Sequence, residues 1–270
     1  MDLSALRAFV FDLDGCVYTG DTLLPGVRDC LETLRRTGRR VLFLTNNSRE
    51  SGDELLAKLY RLGIAATADE MLSAAEITGP FVRERYGPSR VLAVGSDRLL
   101  RLLTDAGHTV IPREAYRTAQ VVVIGHDFEF DYQKLTALSR AVRAGAAFVA
   151  VNLDPRLPVE AGEFYPGCAA MVEAVAAAAG VRPVVVGKPE PPIFRVALAH
   201  LGLPPEAVVM VGDSLSSDVQ GAQGVSLRTV WIAPPGAESG AIRPDLTIHH
   251  FAELTRRLHA FPLKPSRFAC

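Results

Sequence analysis

Four short stretches of this chain hold residue types that can do chemistry, and each follows an apolar run. "FVFDLDG" delivers Asp12 and Asp14, "VLFLTNNS" delivers Thr45 and Asn46, "VVVGKP" delivers Lys188, and "VVMVGDSLSSD" delivers Asp213 and Asp218. Carboxylates at the end of a buried run cost several kcal/mol unless something cationic meets them. A hard divalent cation relieves the repulsion among the four aspartates, and Mg²⁺ takes oxygen ligands from one or two carboxylates, water and a phosphate. With Lys188 and the hydroxyl, amide and backbone N–H donors at Thr45 and Asn46, the set makes a receptor for a phosphoryl group. The GxxxxGK[ST] loop of nucleoside triphosphatases is absent.

Asp12 and Asp14 are two residues apart, a spacing that points both side chains the same way in an extended strand. Asp12 can attack phosphorus and form an aspartyl-phosphate. Asp14 can protonate the leaving oxygen and then deprotonate the attacking water. Lys188 keeps Asp12 ionised and neutralises transition-state charge. Each stretch alone also has a plain reading: a turn at Asp-x-Asp, a surface turn at Gly-Lys-Pro, an N-cap at Ser48 for the helix that follows, and a cap at Ser214 or Ser217. All four in this order, each after a strand, argue against the plain reading of the whole set.

The elements that must position these residues are legible as alternation. Apolar, β-branched runs at 8–13, 40–45, 90–95, 119–125, 146–152, 182–187, 207–212 and 228–233 read as strands. Amphipathic segments between them, several ending in glycine, read as helices. The class is α/β, a doubly wound parallel sheet with helices on both faces. Ligands of such sheets bind outside the carboxyl ends of the strands. If the four strands are neighbours in one sheet, all four motifs converge on one crevice.

The chain has 270 residues, 49% of them hydrophobic, and a net charge of −1. This charge makes no electrostatic case for nucleic acid or an anionic membrane as partner. Cys16, Cys30, Cys168 and Cys270 lack zinc-site spacing, which points to a reduced, intracellular protein. There is no N-terminal signal pattern and no run approaching the ~20 apolar residues of a membrane span; "MVEAVAAAAG" (171–180) is too short. The expected location is cytoplasmic.

The ordered set DLDG, TNN, GKP and GDSLSSD resembles the four motifs of the haloacid dehalogenase (HAD) superfamily of aspartyl-phosphate hydrolases. The gap of about 140 residues between "TNNS" and "GKP" resembles the large α/β (C2-type) cap of the branch containing NagD, 4-nitrophenyl phosphatase and phosphoglycolate phosphatase. "LPG", "GHDFEFDYQKL", "VNLD" and "FYPGCAAM" are similar to further stretches of that branch. Dehalogenases lack the second aspartate, so Asp14 argues for phosphate. The resemblance implies a Rossmann-like core at 1–76 and 181–270 with an inserted smaller α/β cap at 77–180.

It also implies roles. Asp12 is nucleophile and metal ligand, and Asp14 is acid/base and gives its backbone carbonyl to Mg²⁺. Thr45 and Asn46 hold phosphoryl oxygens, Lys188 pairs with Asp12 and phosphate, Asp213 is a metal ligand, and Asp218 supports metal waters or Lys188. In the cap segment 152–167, Asp154 and Arg156 are candidates for polar substrate groups, and Phe164 and Tyr165 for stacking on a ring. Caps of this branch often pair, which implies a homodimer. Three positions depart from the family pattern: Cys16, His126, and Ser226 where glycine is usual. The expected activity is Mg²⁺-dependent hydrolysis of small phosphomonoesters: sugar phosphates, nucleoside monophosphates, phosphoglycolate or aryl phosphates such as 4-nitrophenyl phosphate. The alternatives are a phosphotransferase or mutase, and a non-catalytic phosphometabolite sensor. A sensor should have lost Asp12, Asp14 or Lys188, and all three are present.

Overall fold

The computed structural model describes residues 1–158 and 163–260. Residues 159–162 of the cap segment and Cys270 lie outside the described residues. The chain divides into two compact units, one of Met1–Thr45, Leu55–Leu72 and Phe194–Cys270, the other of Asn46–Glu54 and Ser73–Ile193.

The first unit is built on β1 (Ala8–Phe11), β4 (Arg40–Thr45), β5 (Met71–Ser73), β13 (Val208–Gly212), β14 (Arg228–Ile232) and β15 (Leu246–Ile248), in the order β15-β14-β13-β1-β4-β5. The pairings along β15-β14-β13-β1-β4 are all parallel. β1 sits inside the sheet and is wholly buried, as its unbroken apolar run requires. Phe9, Phe11 and Phe43 pack with Leu31 and Leu34 of the helix Val27–Arg36 and with Phe251, Leu254 and Leu258 of the helix Phe251–Ala260. Burying each such side chain contributes roughly 1.5–3 kcal/mol, so the strand is firmly seated where the first aspartate follows it. A short hairpin, β2 (Tyr18–Thr19) and β3 (Thr22–Leu23), comes just after the DLDG stretch.

The second unit has its own parallel sheet, β12-β9-β8-β6-β7, from β6 (Arg90–Val94), β7 (Thr109–Val110), β8 (Val121–Ile124), β9 (Ala147–Ala150) and β12 (Val184–Val185). The helices Tyr132–Arg143 and Cys168–Ala179 close its core through Leu138, Val142, Val172 and Val175 against Val122, Ile124 and Phe148. An antiparallel hairpin, β10 (Arg156–Pro158) and β11 (Phe164–Pro166), lies between β9 and the second of these helices.

Two expectations need correction. The strand leading to Lys188 does not join the sheet of the other three motifs: β12 pairs with β9 in the second unit. Its apolar pattern shows that it is a buried strand and carries no information about which strand it pairs with. Ser48 is not the helix cap. Ser51 is, its hydroxyl accepting from the Glu54 N–H at 3.1 Å while the Glu54 carboxylate accepts from the Ser51 N–H at 2.7 Å. This reciprocal Ser-x-x-Glu box satisfies two donors at once, and Asn47 Oδ1 occupies the turn before it by accepting from the Arg49 and Glu50 N–H groups. Among the described residues, no helix is long and apolar enough to cross a membrane.

Candidate active site

In the first unit, Asp12 is the first residue after β1, and its N–H donates to the Val211 carbonyl at 3.0 Å. The ladder therefore carries one step past Phe11, whose register partners are Val211 on β13 and Phe43 on β4. That register brings Asp12, Asp213 and Thr45 to the carboxyl ends of three adjacent strands. Carboxylate oxygens of Asp12, Asp213 and Asp218 all lie within 4.8 Å of one another. Asp12 and Asp218 are buried and Asp213 is half-buried. Asp14 is exposed and is not one of the three. Sequence reasoning gave Asp218 a supporting place; its carboxylate stands in the cluster itself.

Local chemistry explains how these acids are held. Gly15 takes φ +88°, and a Cβ there would sit 2.4 Å from Asp213 Oδ2, so only glycine leaves the turn and the carboxylate in place. The Leu13 carbonyl accepts from the N–H groups of Cys16, Val17 and Tyr18, which folds the chain back tightly after the second aspartate. Cys16 is fully buried, and its thiol donates to the Val211 carbonyl at 3.4 Å, a packing role. After β13, Ser214 caps the next turn, accepting from the Ser217 N–H at 3.1 Å, and its own N–H donates to Asp218 Oδ2 at 3.1 Å. The Asp213 carbonyl accepts from the Trp231 indole at 2.8 Å.

Three clustered carboxylates, two of them buried, form an all-oxygen donor set with unfavourable mutual repulsion. That set fits a hard divalent cation of the Mg²⁺ type. The ligands would be Asp12 and Asp213, with Asp218 beside them.

In the second unit, Lys188 and Asn46 are brought together although 142 positions separate them. Asn46 Oδ1 accepts the Lys188 N–H at 2.7 Å, and Asn46 Nδ2 donates to the Lys188 carbonyl at 3.0 Å. Both residues are buried. Gly187 is needed here for close approach, since a Cβ would lie 2.6 Å from Asn46 Oδ1 and 2.8 Å from the Val151 carbonyl. Sequence reasoning singled out neither Gly187 nor Asn152, whose Nδ2 donates to the Asn46 carbonyl at 2.7 Å; the "VNLD" stretch was the available signal.

The cap segment divides. Asp154 Oδ1 accepts from Asn46 Nδ2 at 2.9 Å. Arg156 lies over the Phe164 ring, 4.6 Å from its centroid. Phe164 and Tyr165 are 50% and 52% exposed, so neither serves as core packing. Tyr165 meets Phe128 edge-on at 5.4 Å, and Phe128 meets His126 in the same way at 4.6 Å. His126 Nε2 bonds the Pro166 carbonyl at 3.1 Å, and burial pushes its pKa below the ordinary histidine value.

Residues 9–109 match the haloacid dehalogenase-like hydrolase family, and residues 185–254 match the HAD-hydrolase-like family. An acid sugar phosphatase of Staphylococcus saprophyticus is 32% identical over 257 residues, covering 93% of this chain and 98% of that protein. The crystal structure of a glycerol phosphate phosphatase from Mycobacterium tuberculosis in complex with magnesium is similar at TM-score 0.86 and 30% identity, over 99% of this chain and 82% of that one. NagD from Escherichia coli is similar at TM-score 0.84 and 26% identity, over 92% and 98%. The chain belongs to the haloacid dehalogenase-like hydrolases, as a phosphatase of the NagD branch.

Proposed function

We propose that the protein is a Mg²⁺-dependent phosphatase that hydrolyses small phosphomonoesters through an aspartyl-phosphate on Asp12. The observation that carries this reading is the meeting of Asp12, Asp213 and Asp218 within 4.8 Å just past β1 and β13. In the proposed reaction, Asp12 attacks phosphorus in line as the ester oxygen leaves. Asp14, open to solvent, protonates that oxygen and then takes a proton from the water that cleaves the acyl phosphate. Thr45, the backbone at Asn46, and Lys188 hold the phosphoryl oxygens and offset their charge. Bound Mg²⁺ would supply positive charge at the phosphoryl group and relieve repulsion among the aspartates.

The inserted segment 77–180 is proposed as the cap and 1–76 with 181–270 as the core, the second sheet taking its strand β12 (Val184–Val185) from just beyond the insertion. Arg156, Phe164 and Tyr165 are proposed as the side chains that select substrate. The relatives named acid sugar phosphatase and glycerol phosphate phosphatase favour a phosphorylated sugar or polyol over a nucleotide. The test is phosphate release from a panel of sugar, polyol, nucleoside and aryl phosphates, with organic products identified. Release of inorganic phosphate with free alcohol, highest for a sugar or polyol phosphate, is expected. Isomerised or re-esterified product without phosphate release would instead identify a mutase or transferase.

A further inference from the structure

The side chain expected to bind phosphate at Asn46 has no donor left to do so. Its carboxamide carries two N–H donors and one oxygen. Nδ2 gives one hydrogen bond to the Lys188 carbonyl at 3.0 Å and one to Asp154 Oδ1 at 2.9 Å, while Oδ1 accepts the Lys188 N–H. Phosphoryl oxygens only accept, so this side chain offers them nothing. The contact it makes is with the backbone of the lysine.

Asp154 is built into the same lattice. Its N–H donates to Asn152 Oδ1 at 3.0 Å, and Asn152 Nδ2 donates to the Asn46 carbonyl. Its own carbonyl accepts the Ala169 N–H at 3.1 Å, and the next residue's carbonyl accepts the Gly167 N–H at 2.9 Å. Asp154 thus stands at the foot of the β10–β11 hairpin, which carries Phe164 and Tyr165. Gly167 is required there, since a Cβ would lie within 3 Å of Asp154 and Arg156 backbone atoms. The geometry points to Asp154 and Asn152 as positioning residues: they orient Asn46, and Asn46 sets the backbone of Lys188. Asp154 then acts on turnover without touching substrate. The hairpin and the lysine are fixed to each other through one side chain, so a hairpin set by substrate and a correctly placed cation are one condition.

This inference rests on the phosphatase reading for its effect on rate, and on the contact alone for its structural part. Steady-state kinetics of Asp154→Ala and Asp154→Asn, on 4-nitrophenyl phosphate and on a sugar phosphate, read the first. Loss of a hydrogen bond to a charged acceptor predicts a fall in kcat of about tenfold, equal for both esters, with KM little changed. Asp154→Asn keeps an oxygen that accepts the same bond and recovers most of the rate. A rise in KM for one ester alone, or no recovery in Asp154→Asn, would overturn it. Denaturant unfolding of Asn46→Ala, Asp154→Ala and the double variant reads the contact without turnover. The double variant should be no less stable than the weaker single variant, and strictly additive losses would overturn the pairing. A wild-type protein inactive on both esters would count against the phosphatase reading and leave this second arm decisive for the contact.

Discussion

Single residues decide both chemistry and cost in this chain. Ser226 holds φ 65°, the left-handed region, and is exposed, so no packing compensates. This is the position where the family resemblance leads one to expect glycine, and the backbone has kept the glycine conformation. Ser226→Gly should therefore raise stability by about 1 kcal/mol, read from denaturant unfolding; an unchanged or lower midpoint would contradict it. His126 gives a pH signature. Burial holds its native pKa below the ordinary value, so the unfolded chain takes up the proton first. The contribution is fully present above the unfolded pKa of about 6.5 and is lost as pH falls from there toward the lower native value. Wild type should lose more stability than His126→Asn between pH 7.5 and 5; equal losses would remove His126 as the cause. Residue types were largely legible in sequence. Asp12, Asp213 and Thr45 reach adjacent strand ends because each directly follows an apolar run. The hydrogen bond from Asn46 to Asp154 was not legible, because a contact between positions 108 residues apart leaves no local pattern.

At the scale of elements, the strand–turn junctions matter most. Gly15 sets the DLDG turn against Asp213, and Gly15→Ala places a methyl group where the carboxylate stands. The fold should survive, since the strain is confined to a turn, but the Mg²⁺ concentration for half-maximal activity should rise at least about tenfold. An unchanged Mg²⁺ titration would show that the Asp213 position is immaterial. Strand positions were legible from apolar runs, and most fell within two residues of their observed limits. The short strands β5, β7 and β15 and the two small hairpins were not, because two or three residues carry too little periodicity. Strand pairing was the deeper gap: Val184–Val185 reads as any buried strand, and only the partner β9 assigns it to the second sheet.

At the scale of the whole molecule, alternation of strands and helices made the α/β class plain, and the long interval between the second and third motifs signalled an insertion. Two parallel sheets, each with its own core, bear out the class. The proposal that the family resemblance carries at this scale is a pairing of two copies through the cap. Light scattering should give the mass of two 29.1 kDa chains; a monomeric mass at micromolar concentration would contradict pairing through the cap.

The measurement that bears most directly on the central claim is phosphate release by wild type and by Asp12→Asn, each with Mg²⁺ and with EDTA. The amide is isosteric with the carboxylate but cannot attack phosphorus. Only wild type with Mg²⁺ should turn over, EDTA should abolish release reversibly, and Asp12→Asn should retain wild-type circular dichroism while losing at least about 10³-fold in rate. Turnover by a folded Asp12→Asn, or undiminished release in EDTA, would contradict an aspartyl-phosphate mechanism supported by a metal at the three carboxylates.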